Sequence, residues 1–328
     1  MDASIKDYRK YLDPKVLARL GGLELRARLI VEGFFSGIHH SPHHGLSVEF
    51  ADHRTYVQGD DLRHVDWKLF GKTDKYYIKE YEQETNLEVV LVVDASESMR
   101  YRSDEGLLSK YEYASSIAAA IAYLTLQQHD SVGLCLFDDE ITQFTRPTNN
   151  PHFWKTLIHD LETGGPLPRP ERSGSTTQAT SGGVKVSRAL SELVERVSHR
   201  QLLVIASDLF DEADDILRGF QHLRFRGSEL IVWHIWDPAE LTLPFRGATC
   251  FEGLEQTGRL LADPRALRVR YIEEVEGFCH RLRMGCGKLL ADYNRLSTVN
   301  ALDAVLSSYL ATRSRRLRSR SSRVLGGG

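Results

Sequence analysis

The residues best placed for chemistry are Asp94-Ala95-Ser96-Glu97-Ser98. A carboxylate and two hydroxyls at alternate positions put hard oxygen donors on one side of a loop. Mg²⁺ takes oxygen ligands and keeps several waters, so few protein ligands suffice. A second carboxylate stands in Ala206-Ser207-Asp208. Both acids end apolar runs, Glu88–Asp94 and Gln201–Ser207, that read as strands buried on both faces. From neighbouring strand ends, Asp94 and Asp208 are able to face one divalent ion. The plainer role for both is to cap the helices that follow.

Other constellations carry less. His39, His40, His43 and His44 cluster around Ser41-Pro42, but structural zinc sites draw ligands from two separated places and no Cys accompanies these. The segment reads as a polar loop. Residues 45–84 alternate acids, bases and aromatics. Arg54, Arg63 and Lys68 stand near Glu49, Asp52, Asp60, Asp61 and Asp66. Charges are seldom buried unpaired, so an ion-pair network holding a small β-subdomain is the first reading and a partner-recognition surface the second. There is no phosphate-cradling glycine loop followed by Lys-Ser/Thr and no Gly-x-Ser-x-Gly elbow. Cys135 lies inside an apolar strand pattern and reads as core, as do Trp233, His234 and Trp236.

These residues must be positioned by an alternating text of strands and helices that starts at Leu87. Strands are expected at Glu88–Asp94, Val132–Phe137, Ile141–Phe144, Gln201–Ser207 and Leu230–Trp236, with weaker ones at Ala248–Glu252, Arg259–Leu261 and Leu289–Arg295. Helices are expected at Tyr111–Gln128, Phe153–Leu161, Val184–Val197, Ala213–Phe225, Arg265–Met284 and Ala301–Thr312. Upstream, a short helical lead-in and a helix at Glu24–Val31 precede a loop over Phe34–Gly45, and β-type stretches fall at Ser47–Phe50 and Tyr76–Tyr81. The pattern predicts an α/β fold with a doubly wound, mostly parallel sheet, in which ligands sit outside the carboxyl ends of the strands. The expected domains are a small, mainly β N-terminal subdomain over 1–85, the α/β domain over 86–312, and a disordered basic tail over 313–328.

Composition limits the function classes. The 328 residues are 41% hydrophobic and 27% charged, an ordinary globular balance. The formal net charge of −3 gives no global case for nucleic acid. Arg313, Arg315, Arg316, Arg318, Arg320 and Arg323 crowd the C-terminus without an acid among them, and a solvated terminus is the favoured reading. The 4 cysteines form no Cys-x-x-Cys pair and suit a reducing compartment. The first ten residues lack the apolar core of a signal peptide, and no apolar run approaches the length that spans a bilayer. A cytoplasmic location is expected.

The strand-end pattern resembles the von Willebrand factor A domain with its metal-ion-dependent adhesion site. The resemblance implies that Asp94, Ser96, Ser98 and Asp208 hold Mg²⁺ or Mn²⁺, with a coordination position left for a partner's carboxylate. In that family a Thr before the next helix completes the set. Counting back from Ser187-Arg188-Ala189-Leu190 places Val184 there, with Thr176, Thr177 and Thr180 close by.

A second resemblance spans the preceding block. Gly45 to Tyr56, then Gly59-Asp60-Asp61-Leu62-Arg63-His64-Val65-Asp66-Trp67-Lys68, then Lys79-Glu80-Tyr81-Glu82 and Glu84, look like the signature of the bacterial family numbered fifty-eight among domains of unknown function. That resemblance implies a MoxR-type AAA+ ATPase as partner. The expected function is a non-enzymatic adaptor that binds protein partners. The alternatives are a metal-dependent hydrolase using the same carboxylates, or a degenerate, metal-free binding module.

Overall fold

The structure is a computed structural model that describes residues 13–20, 22–39, 53–55, 67–73, 75–79, 87–166, 186–253, 258–302, 305–306 and 309–310. The chain divides into two compact units, residues 1–37 with 86–328, and residues 38–85. The reading of 1–85 as one piece set this boundary elsewhere.

Two helices lead in. The first, α1 (Pro14–Leu17), starts at Asp13, whose side chain accepts from Lys15 N. The second, α2 (Leu23–His39), runs eight residues past the expected Val31 and takes in much of the expected loop. Leu23, Ala27, Ile30, Val31 and Phe34 recur at helical spacing and are all buried. That stripe outweighs the weak helix propensity of Gly33, Ser36 and Gly37.

In the smaller unit, β1 (His53–Thr55) pairs antiparallel with β2 (Tyr77–Lys79), and α3 (Trp67–Thr73) lies between them in sequence. The expected strand at Ser47–Phe50 lies outside the described residues, and the helix at Trp67 was not expected.

The larger unit continues with β3 (Glu88–Asp94), a 3₁₀ turn (Glu97–Arg100), α4 (Lys110–Gln127), β4 (Ser131–Phe137), β5 (Ile141–Thr148), α5 (Phe153–Thr163), α6 (Val186–Arg196), β6 (Leu202–Ser207), α7 (Ala213–Phe225) and β7 (Glu229–Trp236). Then come α8 (Pro238–Thr242), the hairpin β8 (Thr249–Glu252) and β9 (Arg259–Ala262), α9 (Pro264–Lys288) and β10 (Asp292–Ser297). The last strand begins three residues later than expected because α9 runs on to Lys288. Leu302, Val305, Leu306, Tyr309 and Leu310 are helical and buried, as the apolar spacing predicted.

Six strands form one sheet in the order β10-β7-β6-β3-β4-β5, all parallel except β5, which runs antiparallel to β4 at one edge. Gly133 lets that edge strand in, because a Cβ there would lie 2.6 Å from the Thr145 carbonyl oxygen. Both faces of the sheet are covered. On one, α6, α7 and α9 pack Leu190, Leu193, Ile216, Phe220, Leu282 and Cys286 on Val90, Val92, Leu203, Ile205 and Val232. On the other lies α4, whose residues from Lys110 to Ala122 are buried all round except Glu112. A helix apolar on every side belongs inside a fold, and α5 and the final helix complete its cover. Trp154 Nε1 donates to Ala119 O at 3.2 Å, and the Thr125 and Tyr309 hydroxyls pair at 2.9 Å.

Candidate functional site

The chain winds from β3 outward through β4 and β5, then returns and winds the other way through β6, β7 and β10. The reversal falls between β3 and β6. A crevice opens where connections leave adjacent parallel strands in opposite directions. Asp94 is the last residue of β3 and Asp208 follows the last residue of β6, so the two acids flank this switch point.

Asp94 is fully buried. Its Oδ1 accepts from Ser96 N at 2.9 Å and its Oδ2 from Ser207 Oγ at 2.5 Å. Burial and then the charge of Asp208 push the Asp94 carboxyl up to about 7, against the lowering effect of the Ser207 and Ser96 hydrogen bonds. Among the described residues, then, this carboxylate has no cation of its own. Ser96 and Ser98 stand on the same turn with their hydroxyl oxygens 3.0 Å apart. All four expected residues thus converge. Ser207, which sequence reasoning treated only as part of a strand, joins them by orienting Asp94. It also accepts from Leu209 N at 2.8 Å. Leu209 carries a left-handed backbone, φ 50°, uncommon outside glycine and a mark of local strain beside functional groups.

A lysine not foreseen from sequence completes the geometry. The Lys110 ammonium, on a residue 1% exposed, donates to Asp208 Oδ2 at 2.8 Å and to Glu240 Oε1 at 2.7 Å. A lysine in the first turn of a helix opposes the helix dipole, so the two carboxylates hold it there. Burial works to lower its pKa, but Asp208 and Glu240 overcome this and raise it. Burial likewise works to raise the Asp208 carboxyl, and Lys110 first, then the Ser98 hydroxyl and His234, more than offset it, leaving a net lowering. One signal in the sequence did point to this residue. Ser109 and Glu112 form a capping box, which fixes Lys110 as the first residue of α4.

The remaining groups support this cluster. Glu240 Oε2 accepts from Asp237 N, and Asp237 accepts from Ala239 N and Ser103 N. His234 pairs Nε2 with the Asp208 carbonyl at 2.9 Å and Nδ1 with the Tyr293 hydroxyl at 2.6 Å. A carbonyl only accepts, so Nε2 carries the proton and Nδ1 accepts from Tyr293. Burial pushes the imidazole down to about 3, which keeps it neutral.

The oxygen donors fit a hard divalent cation. Among the described residues no three His, Cys, Asp or Glu side chains gather as ligands, so such an ion would draw on hydroxyls and water beside its carboxylates. Asp208 Oδ1 is buried and lacks a hydrogen-bond partner. Among the described residues, Lys110 is the cation paired with Asp208 and Glu240 and none is paired with Asp94, so the three acids exceed the ammonium by two charges that a divalent ion would balance. Val184, Thr176, Thr177 and Thr180 lie outside the described residues, as do His40, His43, His44, the acids and bases between Tyr56 and Asp66, and the arginine-rich C-terminus.

A cleft of about 300 Å³ adjoins the cluster. Its lining combines Ser98, Lys110 and Asp208 of the cluster with Tyr101, Phe210, Phe245, Phe251 and Tyr271.

The strand order and the Asp-x-Ser-x-Ser turn at the switch point define a von Willebrand factor A-like α/β domain. The chain belongs to the family described as "Protein of unknown function DUF58", whose pattern matches residues 52–278. It is 26% identical over 244 residues to the uncharacterized protein Rv1480 of Mycobacterium tuberculosis H37Rv, covering 74% of this chain and 72% of the relative. The same figures hold for the uncharacterized protein Mb1516 of Mycobacterium bovis. Among solved structures, the chain resembles the conserved hypothetical protein BatB from Bacteroides thetaiotaomicron, with a TM-score of 0.42 and 16% identity over 70% of this chain and 99% of that one. It also resembles the SpRpn10 VWA domain, with a TM-score of 0.36 and 10% identity over 68% of this chain and 95% of that one. No helix among the described residues is long and apolar enough to cross a membrane.

Proposed function

We propose that the chain is a non-enzymatic protein-interaction module whose strand-edge site holds Mg²⁺ or Mn²⁺ through Asp94, Ser96, Ser98 and Asp208. The bound ion would supply an open coordination position for a partner's carboxylate. The single observation that carries this reading is the pair of buried acids at the switch point, one with no cation among the described residues and the other with a buried Oδ1 that lacks a hydrogen-bond partner. The partner proposed is a MoxR-type AAA+ ATPase, on the strength of the family signature, and the proposed location is the cytoplasm.

A hydrolase working from the same carboxylates needs a free general base. Among the described residues, the His and Lys beside these carboxylates are committed: His234 has both ring nitrogens engaged, and Lys110 is charged and shared between two acids. This favours binding over catalysis. One observation favours a metal-free variant, namely that Lys110 already supplies Asp208 with a cation.

The test is capture of the purified ATPase on the immobilised full chain, in Mg²⁺ and in chelator. Retention in Mg²⁺ that is lost in chelator and in Asp94→Ala supports the metal-dependent reading. Equal retention in both buffers supports the metal-free module, and no retention in either removes this partner.

A further inference from the structure

The aromatic cleft has a composition that the metal site does not use. Among the described residues, five aromatic side chains line it, and they come from four separate places in the chain. Tyr101 follows the 3₁₀ turn, Phe210 follows β6, Phe245 and Phe251 flank the start of the hairpin, and Tyr271 sits on α9. Phe245 and Phe251 meet edge-on with centroids 5.7 Å apart. Arg268 holds the Phe245 segment in place by donating to the Leu243 and Phe245 carbonyls at 3.0 and 2.9 Å. Phe210 is 65% exposed, a large apolar surface left to solvent.

The charged part of the lining is anionic on balance. Asp208 and Glu240 share one ammonium, so a negative charge remains. Asp208 lines the cleft, is 8% exposed and has its Oδ1 unpartnered. At the rim, Glu252 is paired with Arg259 in solvent and adds little. The Tyr101 and Tyr271 hydroxyls sense the field. Burial chiefly, and then acids including Glu240, raise both, Tyr271 up to about 12.

Aromatic rings and carboxylates lining one cleft attract a cation with an apolar stem. Arginine suits this best, because its guanidinium stacks on rings and sheds water more readily than an ammonium. We propose that the cleft receives an arginine side chain of the protein partner, as a second contact beside the strand-edge site. The proposal rests on the interaction-module reading but not on metal. With a divalent ion and a partner carboxylate in place, the cluster again carries one excess negative charge for the guanidinium to balance. The partner surface is thereby specified as an acid and an arginine close together.

The full chain is titrated with N-acetylarginine amide, with its neutral isostere N-acetylcitrulline amide and with N-acetylnorleucine amide, in Mg²⁺ and in chelator. Binding is followed by the ring resonances of Tyr271 and Phe245. Arginine amide is expected to shift them and to bind about tenfold or more tightly than citrulline amide. Phe210→Ala, at an exposed position, and Tyr271→Ala should each weaken it several-fold. Norleucine amide binding as well as arginine amide would overturn the proposal, as would no shift with any of the three. A Mg²⁺ titration of the same samples separates the two readings. Arginine binding without Mg²⁺ binding leaves this proposal standing and removes the metal, and the reverse pattern does the opposite.

Discussion

Lys110 Nζ lies 2.8 Å from Asp208 Oδ2, across 98 residues of chain, and ties the first turn of α4 to the end of β6. The same ammonium reaches Glu240 on α8. One buried cation thus joins the strand edge to the wall of the aromatic cleft.

Removing that cation strands two carboxylates. Lys110→Met should destabilise the chain in urea by about 3–5 kcal/mol, the range for breaking one side of a buried ion pair. Added Mg²⁺ should recover more stability in this variant than in the parent, because a fixed positive charge near the site has gone. A loss below about 1 kcal/mol would show that the triad is solvated in solution.

Ser207→Ala should cost about 1–3 kcal/mol, the penalty for leaving buried polar groups without their partner. The hydroxyl both donates to Asp94 Oδ2 and accepts from Leu209 N. Urea unfolding measures this, and an unchanged midpoint would contradict the role assigned to the residue.

His234 predicts a sensitivity to acid. Its folded pKa lies near 3, below the ordinary 6.5. The unfolded chain therefore binds a proton that the folded chain refuses. Stability from this residue is complete above 6.5 and falls as the pH drops toward 3, with a slope approaching about 1.4 kcal/mol per pH unit. His234→Gln should flatten that part of the profile. Parallel profiles would show that the imidazole is not held neutral.

Asp94 acts with the opposite sign. Its folded pKa of about 7 stands above the ordinary 3.8, so the metal-free fold gains a proton that the unfolded chain has lost. Its contribution is best at low pH and declines as pH rises from 3.8 through 7. In chelator, Asp94→Asn should gain on the parent over that window, as read by urea midpoints at a series of pH values. A variant that loses ground over the same window would mean that Asp94 already has a cation.

Much of the fold was legible because burial on both faces writes strands as continuous apolar runs. Glu88–Asp94 and Leu202–Ser207 carry nearly every residue buried, and their terminal polar residues marked the site. The start of β10 was misjudged because Leu289 and Leu290 look like strand residues, whereas Leu289 caps α9 and Leu290 stands 80% exposed. The length of α2 was missed because Gly33, Ser36 and Gly37 look like a loop, whereas the buried stripe from Leu23 to Phe34 carries the helix into them. Lys110 escaped for a different reason. A lone lysine before an apolar helix is normally solvent-facing, and only the meeting of α4, β6 and α8 in space gives it two carboxylates. Likewise, nothing local in the sequence brings Tyr101, Phe251 and Tyr271 to one cleft.

The central claim is that Asp94, Ser96, Ser98 and Asp208 act together as an oxygen cradle for a divalent cation. Isothermal titration of the full chain with Mg²⁺ and with Mn²⁺ tests it most directly. The account predicts one saturable site in the parent protein that disappears in Asp94→Ala. No binding heat in the parent, or the same heat in the variant, would contradict it.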